Sequence, residues 1–336
     1  MLPLMDELRS SILATLALYD GFGLPLTAMW VYEKLIHPAR FAKNSVQPDG
    51  WKLSDVREML DALIEQKKIV HINGFYFLQH SRVSFEDVIE REKIAAQKWK
   101  QLVRLGWWLQ AVPFVRAVFV SGSMALGNPD TASDFDVVVV TRAGRLYTCR
   151  LLLSLVTTLM GARRTRHEHV APDKFCFNHY LTDDGLALSH HSLYAAAVYN
   201  DLISILGGDD VVERFYAANP WLLQYFVRVP IHRAYVRKTV ATSPFLSKVR
   251  MIEEWCLNGA LGGVLEWTLR NWQQRRIFAN PATRAPGGRV IANDRQLEFH
   301  PHSAEKAILE EYNAFTKQSG AFWNYHEADS GRSRPR

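Results

Sequence analysis

Two aspartates and a glycine–serine pair are the residues of this sequence best suited to chemistry. They stand in the stretch VFVSGSMALGNPDTASDFDVVVV, in which Asp134 lies eleven residues beyond Ser123 and Asp136 two residues further. Residues two apart on a β-strand project to the same side, so both carboxylates are expected to share one face. Mg²⁺ prefers such oxygen ligands, and a Gly-Ser turn before a helix offers backbone N–H groups to a phosphate. The combination predicts phosphoryl or nucleotidyl transfer.

The spacing of these residues resembles the pattern of one family. G-S-x-A-x-G, five further residues and then S-D-x-D are typical of the minimal nucleotidyltransferases of the DNA polymerase beta superfamily. The pattern stands here at Gly122, Ser123, Ala125, Gly127, Ser133, Asp134 and Asp136. The resemblance implies that Gly122, Ser123 and Ser133 belong to the nucleotide site. It also implies that Asp134 and Asp136 are catalytic and bind Mg²⁺ or Mn²⁺.

The sequence departs from the family at the third carboxylate, which the family usually carries on a neighbouring strand. The expected strand here, KFCFNHYL, contains no acid. Asn178 is the candidate for a neutral metal ligand, and His179 is the candidate for accepting a proton. Glu168 remains a further possibility, whereas Asp183 and Asp184 have the character of turn residues. A substituted third ligand, a carboxylate from elsewhere and a weak or inactive enzyme all stay open.

Basic residues indicate the kind of partner. The net charge is +6, and the segment 228–250 contains six lysines and arginines without an acid. Such stretches suit a polyphosphate or a nucleic acid, and they weakly favour RNA. Arg142 and Lys174 flank the expected pocket and are predicted to neutralise phosphate oxygens, with a surface salt bridge as the alternative for each. The pairs His167/His169 and His300/His302 lack the spacing of a zinc site, so ordinary histidines are favoured. Trp221 is expected to pack in a core rather than to stack on a base.

The first eighty residues predict a small helical domain that ends in a hairpin. Leu8, Ile12, Leu16 and Tyr19 recur at helical spacing, and Ser54 is expected to cap a third helix. Asn73-Gly74 between two apolar runs is a strong hairpin signal. Three helices and a hairpin resemble a winged helix-turn-helix, which we assign to residues 1–82.

The third helix of this domain is acidic where a DNA-reading helix would be basic. Asp55, Glu58, Asp61 and Glu65 occupy its expected outer face, against Arg57 alone. DNA phosphates repel such a face, so a protein contact or a scaffold role is favoured over DNA binding.

The remaining elements predict a mixed α+β class with a small central mixed β-sheet. A connecting helix is expected at 84–110 within the segment 83–112. The core, 113–206, is expected to contain strands at 115–120, 135–141, 174–181 and 186–189, with a helix at 145–160. The segment 207–336 is predicted to be mainly helical, with one long helix at 252–276 and another capped by Ser303.

Neither a membrane protein nor a disulfide-rich secreted protein is expected from this sequence. No run reaches the roughly 18 apolar residues of a membrane span, and the first residues do not resemble a signal peptide. Three separated cysteines argue against a disulfide framework, so a cytoplasmic location is expected. The acceptor of the nucleotide is expected to be an RNA end such as that of tRNA, a small molecule or a protein. The competing hypothesis is a nucleotide-sensing regulator that acts through its winged-helix domain.

Overall fold

The computed structural model describes residues 2–38, 50–165, 168, 170–229, 238–284, 288–300 and 303–318. The described chain is mixed α and β. Its helices are α1 (Leu2–Gly21), α2 (Ala28–Glu33), α3 (Leu53–Glu65), α4 (Phe85–Gly106), α5 (Gly122–Leu126), α6 (Leu146–Leu159), α7 (Leu193–Asn200), α8 (Asp209–Ala218), α9 (Pro244–Leu257), α10 (Ala260–Ala279) and α11 (Glu305–Gln318). Its strands are β1 (Leu26–Thr27), β2 (Ile69–Ile72), β3 (Phe75–Leu78), β4 (Val115–Val120), β5 (Phe135–Thr141), β6 (Phe175–Thr182), β7 (Ile203–Leu206), β8 (Arg289–Ala292) and β9 (Gln296–His300). None of the described helices combines the length and apolar character that crossing a bilayer requires.

The N-terminal part contains α1 to α3 and a three-stranded sheet of order β1-β3-β2. The predicted hairpin is confirmed, because β2 and β3 pair antiparallel on either side of Asn73 and Gly74. Both turn residues have positive φ, 50° and 90°, as a tight two-residue hairpin turn requires.

The third helix differs from its prediction only in its cap. It begins at Leu53, and the side chain of Asp55 accepts a hydrogen bond from the backbone N–H of Lys52. Ser54 therefore lies inside the first turn and is not the cap. Glu58, Asp61 and Glu65 are exposed, so this face is acidic as expected.

The central sheet has six strands in the order β7-β4-β5-β6-β9-β8. Only β5 and β6 pair in parallel; the other neighbours are antiparallel. Two strands, β8 and β9, come from the segment expected to be mainly helical. The predicted strand at 186–189 is wrong, because the chain forms one isolated bridge from Thr182 to Gly185 and then leaves the sheet.

The connecting helix α4 is confirmed at its start, where Ser84 accepts a hydrogen bond from the backbone of Asp87. It ends at Gly106, and a 3₁₀ turn, Trp107–Ala111, covers the rest of the predicted range. The single long helix predicted at 252–276 is wrong. The chain breaks between Leu257 and Ala260, where a Cβ on Gly262 would lie 1.6 Å from the carbonyl oxygen of Leu257. The absence of a side chain at Gly262 therefore permits the break.

Two apolar cores lie on opposite faces of the central sheet. One joins Val138 and Val140 of β5 to α7, α8, the N-terminal helices and α11. The other joins Val137 and Val139 to α4, α6 and the edge strands. The buried ion pair between Lys34 and Asp201 crosses from the end of α2 to the end of α7, and each side chain is 4% exposed.

The C-terminal helix α11 returns to the beginning of the chain. It packs against α1. The contact is close at Gly21, because a Cβ added there would lie 3.2 Å from Cγ2 of Ile308. Ser303 accepts a hydrogen bond from the backbone N–H of Glu305, as a capping residue does. The two ends of the described chain are therefore held in one core.

Candidate active site

The two motif aspartates lie together at the start of β5. Asp136 belongs to the strand and Asp134 precedes it by two residues, so both project to the face that carries Val138. Ligand atoms of Asp134, Asp136 and Cys176 all lie within 4.8 Å of one another. Among the described residues this is the one group of acidic, cysteine or histidine side chains close enough to share a metal ion.

The backbone of the first motif glycine, Gly122, packs closely against the carboxylate of Asp136. Gly122 begins the short helix α5 with φ +61°, and a Cβ there would lie 2.8 Å from Oδ2 of Asp136. The backbone N–H of Ser121 donates to the carbonyl oxygen of Asp136 at 3.0 Å. The turn at residues 121–123 thus lies directly beside the acidic pair, and Ser123 follows in the first turn of α5.

We expect Gly122→Ala to disrupt the acidic pair, because the new methyl group would displace the Asp136 carboxylate. Gly127→Ala is the matched control, since Gly127 also has positive φ, +79°, but its Cβ would meet no atom within 4 Å. Backbone strain of about 1–3 kcal/mol applies to both variants. Thermal melting would show the loss of stability that this strain causes in both variants. A Mn²⁺ titration should show weakened metal binding in Gly122→Ala but not in Gly127→Ala. Equal Mn²⁺ affinities in the two variants would contradict the close fit.

The loop that carries Asp134 is fixed by a buried lysine. Lys98 of α4 donates to the carbonyl oxygens of Thr131 at 3.2 Å and Ser133 at 2.8 Å, and it pairs with Asp173 at 2.8 Å. Ser133 donates its hydroxyl to Asp130 and accepts a hydrogen bond from the Asp130 backbone. In the structure Ser133 therefore shapes this loop and presents no free hydroxyl to a nucleotide.

Strand β6 places Cys176 and Asn178 next to the acidic pair. Cys176 pairs with Asp136 across the parallel strands, and its sulfur lies within 4.8 Å of a carboxylate oxygen of Asp136. Asn178 donates its amide to Oδ1 of Asp136 at 2.8 Å. Burial raises the pKa of the Cys176 thiol, so its sulfur stays protonated. The position expected for a third carboxylate holds two neutral hydrogen-bond donors.

His179 is not part of this site, contrary to the sequence-based expectation. The register of β6 shifts after Cys176, and His179 pairs with Val138, deeper in the sheet. Its Nδ1 lies 2.9 Å from the hydroxyl of Tyr199, and its Nε2 accepts from Gln296 at 3.1 Å. Burial, and then the charge of Arg289, lowers its pKa to about 3. A histidine with both nitrogens bonded in a core is a structural residue.

An arginine that the motif does not include contacts the acidic pair. Arg164 donates to Oδ2 of Asp134 at 2.5 Å and lies 3.8 Å from the sulfur of Cys176. Burial, and then the negative charge of Asp134, raises the pKa of Asp136 to about 7. The cation of Arg164 thus offsets part of a repulsion that two neighbouring carboxylates create.

The other basic candidates divide between the two ends of the sheet. Lys174 lies at the site end, where its carbonyl oxygen accepts from Phe135 and its ammonium pairs with Glu168. That ion pair, with a backbone hydrogen bond from Thr165, lowers the pKa of Glu168 to about 2. Arg142 follows the last residue of β5, at the far end, and donates to Asn258 at 2.5 Å. We therefore exclude Arg142 from the site.

The remaining candidates lie outside the site. Asp183 and Asp184 are turn residues after β6, as expected, at the end of the strand remote from Asp136. Burial lowers the pKa of His300 on β9 to about 4, and Trp221 is buried and donates to Asn219 at 3.0 Å. His167, His169 and His302 lie outside the described residues.

The residues present fit a hard divalent cation. Asp134 and Asp136 supply carboxylate oxygens, and the raised pKa of Asp136 shows that keeping both ionised is costly without a cation. The protonated sulfur of Cys176 is a poor ligand for Mg²⁺, and Asn178 directs its NH₂ group at Asp136. The acidic pair alone would hold the metal.

Sequence reasoning missed Arg164, Cys176 and Lys98 as residues of this region. A cluster of arginines at positions 142–166 was visible in the sequence, but nothing local marked Arg164 as the member that reaches Asp134. Lys98 reads as an ordinary charge on a helix. Both contacts join segments at least 30 residues apart.

Comparison of the chain with protein-family models, with curated proteins and with solved structures found no match.

Proposed function

We propose that this protein is a metal-dependent nucleotidyltransferase that moves a nucleoside monophosphate from a nucleoside triphosphate to a hydroxyl-bearing acceptor. The observation that carries the proposal is the convergence of Asp134 and Asp136 beside the Gly122 turn, with ligand atoms within 4.8 Å. The motif spacing that resembles the DNA polymerase beta superfamily supports the same function. We place the reaction in the cytoplasm.

The proposed reaction forms one bond and breaks one bond at the α-phosphorus. The acceptor oxygen attacks this phosphorus, the bond to the bridging oxygen of the β-phosphate breaks, and pyrophosphate leaves with that oxygen. When bound, Mg²⁺ or Mn²⁺ would reduce the charge on the phosphates and orient the acceptor. Asp134 and Asp136 would hold the ion. The backbone of Gly122 and the hydroxyl of Ser123 would position the phosphates that leave.

Strand β6 offers no carboxylate that could act as a general base and accept the proton of the acceptor hydroxyl. Asn178 donates a hydrogen bond to Asp136 in that position, Cys176 carries a protonated thiol there, and His179 is held in the core. We therefore expect a slow enzyme, in which the proton passes to water or to the substrate's own phosphate. A positioned general base contributes typically about 10²–10⁴-fold to a rate, which bounds the expected deficit.

Arg164 is proposed to change partners during substrate binding. Its guanidinium pairs with Asp134 in the structure, where it competes with a metal ion for the same carboxylate. Once the metal holds Asp134, the guanidinium would turn to the phosphate oxygens that enter with it, for which arginine is well suited.

We expect Arg164→Gln to change two measurements in opposite directions. Without the competing cation, Mn²⁺ should bind on the order of tenfold more tightly in the absence of nucleotide, because about 1.4 kcal/mol corresponds to that factor. The KM for nucleoside triphosphate should rise by a similar factor, because a phosphate contact is lost. Arg163→Gln, which removes the preceding arginine, is the control for a general loss of positive charge. If Arg164 had only a structural role, its replacement would either weaken the binding of both Mn²⁺ and nucleoside triphosphate or leave both unchanged.

The acceptor is proposed to be an RNA end, with a small molecule or a protein side chain as the other outcomes of the assay. The acid-free basic stretches of the sequence suit a polyanion. Recognition of duplex DNA through α3 is disfavoured, because its exposed face carries Glu58, Asp61 and Glu65.

The test uses purified full-length protein with Mg²⁺ or Mn²⁺ and each α-labelled nucleoside triphosphate in turn, with total RNA, protein extract and a small-molecule extract as separate acceptor pools. Transfer of label to one pool, with release of pyrophosphate, is the expected result. A failure of all four nucleotides with every pool, while both metals are present, would contradict transferase activity.

A nucleotide-sensing regulator is the second candidate, and the lack of a carboxylate at Cys176 and Asn178 favours it. In that case the protein should bind nucleoside triphosphate with metal in a calorimetric titration and yet transfer no label. Nucleotide-dependent changes in protection of α2 and α3 in hydrogen exchange would support signalling through the N-terminal part.

A further inference from the structure

Helices α9 and α10 expose a large apolar surface. Of the eighteen large apolar side chains that are exposed in the described part of the chain, ten lie on these two helices. We call them the α9–α10 face: Phe245, Met251, Ile252, Trp255, Leu261, Val264, Leu265, Trp267, Trp272 and Phe278. Scattered single apolar residues need no explanation, but a concentration of this kind does.

The face is continuous along α10. Leu261, Val264, Leu265 and Trp272 follow the i, i+3, i+4 and i+11 spacing of one helical stripe. Leu261 is 83% exposed and Trp255, just before the break between the helices, is 79% exposed. The stripe therefore passes from the end of α9 onto α10.

The opposite side of α10 is fixed to the body of the protein, so the stripe has a definite direction. Glu266 accepts hydrogen bonds from the backbone N–H groups of Tyr147 at 2.9 Å and Thr148 at 2.8 Å, at the start of α6. Gln273 donates to the carbonyl oxygen of Tyr147 at 2.9 Å. These contacts hold α10 in place and leave its apolar stripe turned away from the core.

The exposed area is large enough for a stable protein interface. An aromatic side chain presents about 150–250 Å², so the exposed fractions of the five aromatic members amount to about 600 Å². With the five aliphatic members the face approaches about 1,000 Å², against roughly 300–600 Å² for the largest patch of a typical monomer and about 800 Å² per partner in a standard interface.

The charge pattern favours a second copy of this chain as the occupant. The exposed residues between positions 251 and 272 are uncharged, and the exposed basic residues of the two helices, Lys248, Arg275 and Arg276, lie toward the ends of the face. A membrane-surface helix would carry lysine and arginine along such a face, whereas interfaces between identical subunits are depleted in charge. In a two-fold contact the same surface of both chains meets itself, so an uncharged centre avoids bringing like charges together.

We propose that the α9–α10 face is the two-fold interface of a homodimer. The twenty residues of α10 extend about 30 Å, which allows antiparallel packing of α10 against α10 of the second chain. Trp255 and Leu261 flank the break at residues 258–259 between the two helices.

The experiment measures the mass of the full chain by sedimentation and light scattering from about 1 to 100 µM. The expected result is a dimer that persists in high salt, since an apolar contact is not screened. The double variant Trp255→Glu/Leu261→Glu should be monomeric, with a dissociation constant of the dimer raised at least about 100-fold, because it places charges in the proposed contact. Leu223→Glu, a charge at a leucine that is 51% exposed on another element, is the matched control and should stay dimeric.

Two results would overturn the proposal. One is a native chain that stays monomeric at 100 µM or that co-sediments as a monomer with phosphatidylcholine and phosphatidylglycerol vesicles. The other is a dimer that the double variant leaves intact. Circular dichroism separates loss of dimer from loss of fold, because both substituted side chains are largely exposed.

Discussion

Asp136→Asn and Asp134→Asn should each lower nucleotidyl transfer at least about 1,000-fold. Each variant removes one of two carboxylates that would hold the metal ion, and the metal contributes several kcal/mol of stabilisation to the charged transition state. The measurement is the rate of label transfer from α-labelled nucleoside triphosphate, together with a Mn²⁺ titration that should show a parallel loss of binding.

The melting temperature separates this loss from unfolding. The pKa of Asp136 is raised from 3.8 to about 7 in the folded protein, first by burial and then by the charge of Asp134. The folded state therefore loses stability as the pH rises from 3.8 to about 7, and at pH 8 the full cost is present. At pH 8 we therefore expect Asp136→Asn to melt at or above the temperature of the native protein. Asp184→Asn, in an exposed turn at the other end of β6, should retain full activity. Substantial transfer by either site variant would refute the assignment.

Lys34→Met should destabilise the whole protein by about 3–5 kcal/mol. The ammonium of Lys34 and the carboxylate of Asp201 are each 4% exposed, and removing one charge leaves the other in a site of low polarity. For a chain of 336 residues this corresponds to a decrease of roughly 4–7 °C in the melting temperature. Denaturant unfolding and calorimetry would measure both quantities.

A double-mutant cycle identifies the ion pair as the cause. Lys34→Met/Asp201→Leu should recover much of the loss, because two apolar side chains replace two buried charges. The control is Lys93→Met, which breaks an exposed pair with Glu90 and should change stability by less than about 1 kcal/mol. If Lys34→Met had no more effect than Lys93→Met, burial of the pair would not matter for stability.

Local patterns predicted the parts of the fold whose signals lie within a few residues. The Asn73-Gly74 hairpin, the start of the connecting helix near Ser84 and strands β4 and β5 follow directly from such patterns. The convergence of Asp134 and Asp136 follows from strand alternation alone. These features depend on neighbours in the chain, so periodicity and turn chemistry are enough to find them.

Features made by distant segments escaped prediction. Strand β9 pairs with β6 across more than a hundred residues, and its short sequence resembles a loop. Arg164 reaches Asp134 because the chain between β5 and β6 returns past the start of β5. His179 sits next to Asn178 in sequence, but a register shift moves it one pair deeper in the sheet. No local pattern encodes a shift of that kind.

The packing of α11 against α1 has a consequence for how the protein is made. Because α11 completes the core that α1 begins, α1 of a nascent chain stays partly uncovered until α11 has been synthesised. Contacts of such long sequence separation slow folding and leave apolar surface exposed meanwhile. A chain cut short before position 305 would lack the helix that packs against α1. We therefore expect quality-control proteases to degrade such a truncated chain as they degrade unfolded proteins.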